Sequence, residues 1–312
     1  MLAGCGYVGP PLPPALNIPK PVTDLSVNEV GDKIIVRFTP PEKTTEDLPV
    51  DTLRAITLYV GPGGSPFSRD TWSAAAHQYE VPVTNKEFVI NAGDWTGQEL
   101  VIGLRTTGRT GKQSDWSTPY GILSVGQPLI APTDIDPLNA PDAVALKWKG
   151  NAPRYRVMRA VLTDPMPKLE RVAEVDAPEY LDGMIAEGAR YQYVILGIAG
   201  ENRQSPPSDA VEFAPKDVFA PETPTGLSAV AGERSITLSW SGSPDGDLEG
   251  YNVFRAVGDG AFAGIAQKVT LPAYTDNNVE AGKRYRYVVS AVDKAGNESK
   301  PSGEASAQGE PQ

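Results

Sequence analysis

The chain has 312 residues, with Gly 31, Pro 30, hydrophobic residues at 40%, charged residues at 21% and a net charge of −11. Glycine and proline make up about a fifth of it against an average near one-eighth, so turns are frequent and long helices are excluded, while the apolar content excludes wholesale disorder. The acidic balance argues against a nucleic-acid partner, and one cysteine with one histidine excludes disulfide frameworks, Cys/His zinc sites and most imidazole catalysis within a single chain.

At the start, Leu2-Ala3-Gly4-Cys5 resembles the lipobox of bacterial lipoproteins. The resemblance implies that Cys5 is lipidated, with the apolar run of the signal encoded upstream of Met1. Two or three acyl chains on that cysteine would anchor the protein stably to a membrane. Residues 6–21 follow, with prolines at 10, 11, 13, 14, 19 and 21 that favour polyproline II. At about 3.1 Å per residue this is a stiff tether.

The next third carries strand patterns at Ile34-Ile35-Val36-Arg37-Phe38, Leu53 to Val60 and Val101-Ile102-Gly103-Leu104, and a last strand is expected after Trp116-Ser117. Its segment from Gly61 to Tyr79 has no counterpart further on. The remaining two thirds repeat each other. Leu146-Lys147-Trp148 matches Leu238-Ser239-Trp240; Tyr155 to Ala160 (YRVMRA) matches Tyr251 to Ala256 (YNVFRA). Tyr180-Leu181-Asp182 matches Tyr274-Thr275-Asp276, and Gly188 to Ile195 (GARYQYVI) matches Gly282 to Val289 (GKRYRYVV). Apolar residues alternate within these blocks, as on half-buried strands, and turn residues separate them.

A proline-rich entry, a strand ending in Trp, Tyr-x-Val-x-Arg, Tyr-x-Asp and Gly-x-x-Tyr-x-Tyr-x-Val together resemble the fibronectin type III family. The resemblance implies an all-β chain of three tandem immunoglobulin-like sandwiches, each with strands in two sheets. It places Trp148 and Trp240 in cores, and Tyr191 and Tyr285 at tyrosine corners whose hydroxyls satisfy nearby backbone groups. In the first copy Phe38 replaces the tryptophan and Leu100 the corner tyrosine. The expected divisions are 1–20 for lipobox and tether, then 21–126, 127–216 and 217–308 for the sandwiches, with short proline-bearing linkers that make a semi-rigid string.

His77 lies in the inserted segment with no Gly-x-Ser-x-Gly elbow anywhere in the chain to suggest a partner nucleophile. Trp72, Trp95 and Trp116 fall in the first copy with it, and two of them exposed and coplanar could stack on sugar rings. Asp245, Asp247 and Glu249, with Asp293 and Asn297, fall in loops that the family fold brings to one end of the third sandwich, where oxygen ligands could hold calcium. No cofactor is expected. The leading reading is a non-catalytic, lipid-anchored protein of the bacterial cell envelope, acting as a binding or spacer scaffold towards an envelope protein or polysaccharide. Its rivals are a polysaccharide-binding module using the first-copy aromatics and, behind it, a glycoside-active enzyme with two facing carboxylates.

Overall fold

The structure, a computed structural model, describes residues 16–310 apart from 164 and 187. The lipobox, Cys5 and most of the proline-rich segment lie outside the described residues. The chain packs as two compact units, one of Met1–Pro137, Leu146–Tyr180 and Arg190–Phe213, the other of Leu138–Ala145, Leu181–Ala189 and Ala214–Gln312.

The first sandwich comprises β1 (Ser26–Val30), β2 (Lys33–Arg37), β3 (Leu53–Pro62), α1 (Arg69–Ala75), β4 (His77–Val81), β5 (Glu87–Asn91), β6 (Glu99–Gly108) and β7 (Gly121–Ser124). The sheet β4-β3-β6-β7 faces β1-β2-β5. Alternation along β3 sends Ile56, Leu58 and Val60 inward to meet Ile34, Val36, Phe38 and Leu100 in one core. Phe38 and Leu100 thus fill core positions, as expected of the residues that replace the aromatic hallmarks.

The second sandwich is built from β8 (Thr133–Ala140), β9 (Ala143–Lys149), β10 (Arg154–Val161), β11 (Glu170–Val175), β12 (Glu179–Asp182), β13 (Tyr191–Ile198), β14 (Arg203–Gln204) and β15 (Val211–Phe213). Strands β12-β9-β8 form a sheet of their own. The third comprises β16 (Ser228–Gly232), β17 (Ser235–Ser239), β18 (Leu248–Val257), β19 (Ala263–Val269), β20 (Ala273–Asp276), β21 (Arg284–Asp293) and β22 (Ala305–Gln308). There β16-β17-β20 and β19-β18-β21-β22 enclose a core around Ile236, Leu238, Val253 and Val289.

The repeated aromatics take the same places in the second and third sandwiches. Trp148 meets Tyr155 edge-on at 5.4 Å, and Trp240 meets Tyr251 edge-on at 5.2 Å. Both tryptophans are buried. The Tyr285 hydroxyl accepts a hydrogen bond from the Glu280 N–H at 2.8 Å, which is the tyrosine corner. In the Tyr-x-Asp strand, buried Asp276 accepts from Arg255 and from the Tyr287 hydroxyl, both at 2.9 Å. Burial and that hydrogen bond push the Tyr287 phenol well above its usual range, so it stays a donor.

A further repeat lies in Gln113-Ser114-Asp115-Trp116-Ser117, Gln204-Ser205-Pro206-Pro207-Ser208 and Glu298-Ser299-Lys300-Pro301-Ser302. Each serine exchanges two hydrogen bonds with the preceding long strand: its hydroxyl accepts from a strand N–H and its own N–H donates to that residue's carbonyl. The pairs are Thr106 with Ser114, Leu104 with Ser117, Gly197 with Ser205, Ile195 with Ser208, Ala291 with Ser299 and Val289 with Ser302. Trp116-Ser117 belongs to this serine turn; the last strand of the first sandwich begins later, at Gly121.

The first two sandwiches share a sheet. Strand β14 pairs antiparallel with β13 on one side and parallel with β1 on the other, giving the order β11-β10-β13-β14-β1-β2-β5 with β15 beside β13. A short proline-bearing linker alone does not imply this pairing.

Candidate functional site

The inserted segment builds a second apolar layer on the outer face of the β3–β6 sheet. Because Leu58 and Val60 point inward, Tyr59 points outward, opposite Gly103. A Cβ on Gly103 would lie 2.7 Å from Tyr120 and 3.0 Å from Trp72, so only glycine lets both rings settle on the sheet. Helix α1 drops Trp72 into this layer, where its Nε1–H donates to the Gly61 carbonyl at 3.2 Å. Around it stand Trp116 at 5.4 Å, Tyr120 at 5.6 Å, Phe67 at 5.9 Å and Tyr59 at 6.4 Å. The Arg105 guanidinium covers Trp116 at 5.3 Å and is held there by the Ser114 carbonyl. The Tyr120 hydroxyl is buried without a hydrogen-bond partner among the described residues, and burial raises its pKa, so it stays protonated.

The sequence-predicted aromatic set is therefore divided. Trp72 and Trp116 come together, but with planes inclined by 60°, and Trp72 is buried. Trp95 lies in the sandwich core, and exposed His77 stands edge-on to it at 5.2 Å. The flat pair of exposed rings that sugar stacking would need does not form from these three tryptophans.

The junction of the first two sandwiches holds a buried ion pair. Glu29 lies at 2% side-chain exposure and Arg203 at 20%, with Arg203 Nε 2.9 Å from Glu29 Oε2. The same carboxylate accepts from the Gly126 N–H at 3.2 Å, and Arg203 also donates to the Gln127 carbonyl at 2.9 Å. The backbone N–H groups of Glu29 and Gly31 donate to the Asn202 and Gln204 carbonyls at 2.7 and 2.9 Å. Beyond the linker, the Asn151 side chain donates to the Pro128 carbonyl and accepts from the Ile130 N–H. Gly31 has φ +61° and packs so closely on Pro206 that an added Cβ would lie 3.1 Å from its ring. Linker residues 126–130 are thus pinned from both sides by charge-assisted and backbone hydrogen bonds.

In the third sandwich the expected oxygen ligands divide, with Asp247, Asp293 and Asn297 near one another and Asp245 and Glu249 engaged elsewhere. Asp245 is engaged in its loop, accepting from Glu222 N–H and Ser243 hydroxyl, contacts that hold its carboxyl below the usual range. Glu249 pairs with Lys268 at 2.7 Å. Buried Asp293 accepts from both the backbone and the side-chain amide of Asn297. Asp247 and Asp293 converge instead with Asp217, which sequence reading did not single out, their carboxylates lying within 4.8 Å of one another. Burial, followed by repulsion from Asp217, Asp293 and Asp142, lifts the Asp247 pKa. Asp217 enters from the linker before the third sandwich, where no loop pattern marks it.

Among the described residues no helix is long and apolar enough to cross a membrane. The family model for the fibronectin type III domain matches residues 222–308. An amylopullulanase from Thermoanaerobacterium saccharolyticum is 43% identical over 88 residues, 28% of this chain and 7% of that protein. Exoglucanase B from Cellulomonas fimi is 33% identical over 136 residues, 41% of this chain and 12% of the enzyme. The chain thus spans only a small part of the length of these curated relatives. A solved fibronectin type III-like protein from Clostridium thermocellum is 40% identical, over 30% of this chain and 97% of its own, with a TM-score of 0.27. With residues 222–308 matched to the family and paired sheets throughout, the fold is that of tandem immunoglobulin-like sandwiches of the fibronectin type III kind.

Proposed function

We propose that this chain is a non-catalytic scaffold of the cell envelope, tethered through a lipidated Cys5, that holds a recognition surface in fixed orientation near carbohydrate. The observation that carries this reading is the sheet shared by the first two sandwiches with the Glu29–Arg203 pair at its seam. A hinge between them would have to break two backbone hydrogen bonds and expose a buried ion pair together. Sandwiches joined by free linkers move relative to one another by default, so this junction departs from the usual string. The matched stretches in the amylopullulanase and exoglucanase are small parts of those proteins, and the matching family is a domain that serves as a module. This supports an accessory role beside polysaccharide for the present chain, while fold alone assigns no chemistry to it.

The test uses the full chain in a Cys5→Ser background with spin labels on Glu80→Cys and Asp209→Cys, both exposed positions. A narrow distance distribution that broadens on Arg203→Ala is the expected result, and a broad distribution in the parent protein would overturn the scaffold reading. The anchor is tested separately. Cys5→Ser, expressed with its upstream signal in a native-like host, should move the protein from membrane to soluble fractions, and unchanged retention would exclude Cys5 as the anchor.

A further inference from the structure

We infer that the groove beside the sandwich junction, lined by Ser26, Asn28, Tyr120, Ile122 and Asn202, is a binding site for a neutral oligosaccharide; this rests on the reading of the chain as a module working beside polysaccharide. The groove has a volume of about 300 Å³, and Leu25, Val27, Pro119 and Gly121 complete its walls. It runs from the start of β1 to the start of β7 and reaches Asn202 of the second sandwich.

Its chemistry selects the ligand class. None of its lining side chains is charged, although the chain carries 28 basic and 39 acidic residues. Three larger clefts among the described residues are each lined by several charged side chains. A charged ligand would find no counter-ion in the groove and would lose water without compensation. A neutral ligand bears no such cost.

The polar groups present suit hydroxyls. Asn28 and Asn202 each offer one carbonyl acceptor and two N–H donors, and Ser26 offers a hydroxyl. Among the described residues none of these side chains has a hydrogen-bond partner, so all remain free for a ligand. Vicinal sugar hydroxyls donate and accept at adjacent positions, which side-chain amides match from either end. Ile122, 60% exposed, supplies apolar surface for the C–H groups of a sugar ring, beside the partly buried Tyr120. This mixture of one aromatic, one aliphatic and convergent polar groups is that of small-ligand clefts in general.

The junction also sets the groove's geometry. Asn28 precedes Glu29 and Asn202 precedes Arg203, and Glu29 pairs with Arg203 in the parallel register of β1 and β14. The Glu29 N–H holds the Asn202 carbonyl at 2.7 Å. The two amides therefore come from different sandwiches yet are fixed by the same seam, and a ligand bridging them meets a site already ordered. The inclined tryptophans of the inserted segment serve as the packing that positions Tyr120, which lies 5.6 Å from Trp72 and 5.8 Å from Phe67.

The experiment is an amide-detected NMR titration of the full chain with maltohexaose and cellohexaose, α- and β-linked neutral glucans, with polygalacturonate as an anionic control. The expected result is saturable shifts at Asn28, Ile122 and Asn202 with one or both glucans. The double substitution Asn28→Ala/Asn202→Ala should weaken binding at least about tenfold, as loss of ligand hydrogen bonds would, with its melting temperature unchanged. Ile122→Ser, at an exposed position, should weaken it independently. No shift with either glucan at about 10 mM, equal binding of polygalacturonate, or shifts elsewhere that survive both variants would each overturn the site. A narrow spin-label distance with no glucan binding would sink this inference alone, whereas a broad one would remove the scaffold beneath it.

Discussion

Arg203→Ala is the substitution that bears most directly on the junction. It leaves the Glu29 carboxylate, at 2% side-chain exposure, with only the Gly126 N–H and frees the Gln127 carbonyl. Removing one partner of a buried pair costs about 3–5 kcal/mol; because Arg203 is one-fifth exposed and water can enter the space it vacates, about 3 kcal/mol is the expected loss. For a unit of roughly 200 residues this corresponds to a fall of about 6–12 °C in the melting temperature. Glu29→Ala should cost less, about 1–2 kcal/mol, since Arg203 keeps the Gln127 carbonyl and reaches solvent. Glu29→Met/Arg203→Met, which removes both charges, should recover most of the loss. The assay is chemical denaturation of the full chain, with local unfolding followed by amide signals in each sandwich. In the parent protein the first two sandwiches should unfold together, and in Arg203→Ala separately. A loss below about 0.5 kcal/mol, the range of an exposed pair, would refute the reasoning.

Tyr120→Phe removes a buried hydroxyl that has no partner among the described residues, and should leave stability unchanged or raise it by up to about 1 kcal/mol; a loss larger than that in a thermal melt would mean the hydroxyl is bonded. Asp247 has a folded-state pKa raised by burial and by its acidic neighbours, so its contribution is complete below the unfolded-state pKa of about 3.9 and is lost as pH rises through the folded value. Asp247→Asn should therefore stabilise the third sandwich at pH 7, with the advantage fading towards about pH 3. An advantage that grew on acidification would reverse the assignment; Asp245, lowered in pKa, is common to both proteins and cancels. Ser302→Ala leaves the Val289 N–H in the third sandwich without its acceptor, and should cost about 1–3 kcal/mol in that sandwich, read as an earlier melting transition for its amides.

Local patterns made much of this fold legible in the sequence. Trp148, Trp240 and the alternating strands that follow them declare a half-buried sheet through period-two spacing, and the same spacing recurs at equivalent positions in the structure. The first sandwich was readable through its strand spacing even though Phe38 and Leu100 replace the aromatic marks. Its clearest shared signal, the paired serines at 114 and 117, is polar and so invisible to a search for apolar alternation. The candidate sites were less legible because they depend on pairings distant in sequence. Glu29 shares the inward face of its strand with Val27, where a carboxylate is out of place on apolar grounds, and its partner Arg203 lies 174 residues away. Trp72, Trp95 and Trp116 are alike in composition but differ in which face of the sheet they serve, and that is decided by whether Gly103 leaves room outside. Asp217 joined the acidic cluster from a linker rather than a loop of the third sandwich.

Native-state hydrogen exchange of the full chain tests the shared sheet most directly. The Glu29 and Gly31 amides, which donate across the seam to Asn202 and Gln204, should be protected to within about tenfold of Leu104 and Ile195, whose amides are bound to buried serines in the two sandwich cores. Exchange of Glu29 and Gly31 at the rate of an unprotected loop amide, while Leu104 and Ile195 stay protected, would show two sandwiches on a free linker and contradict the account.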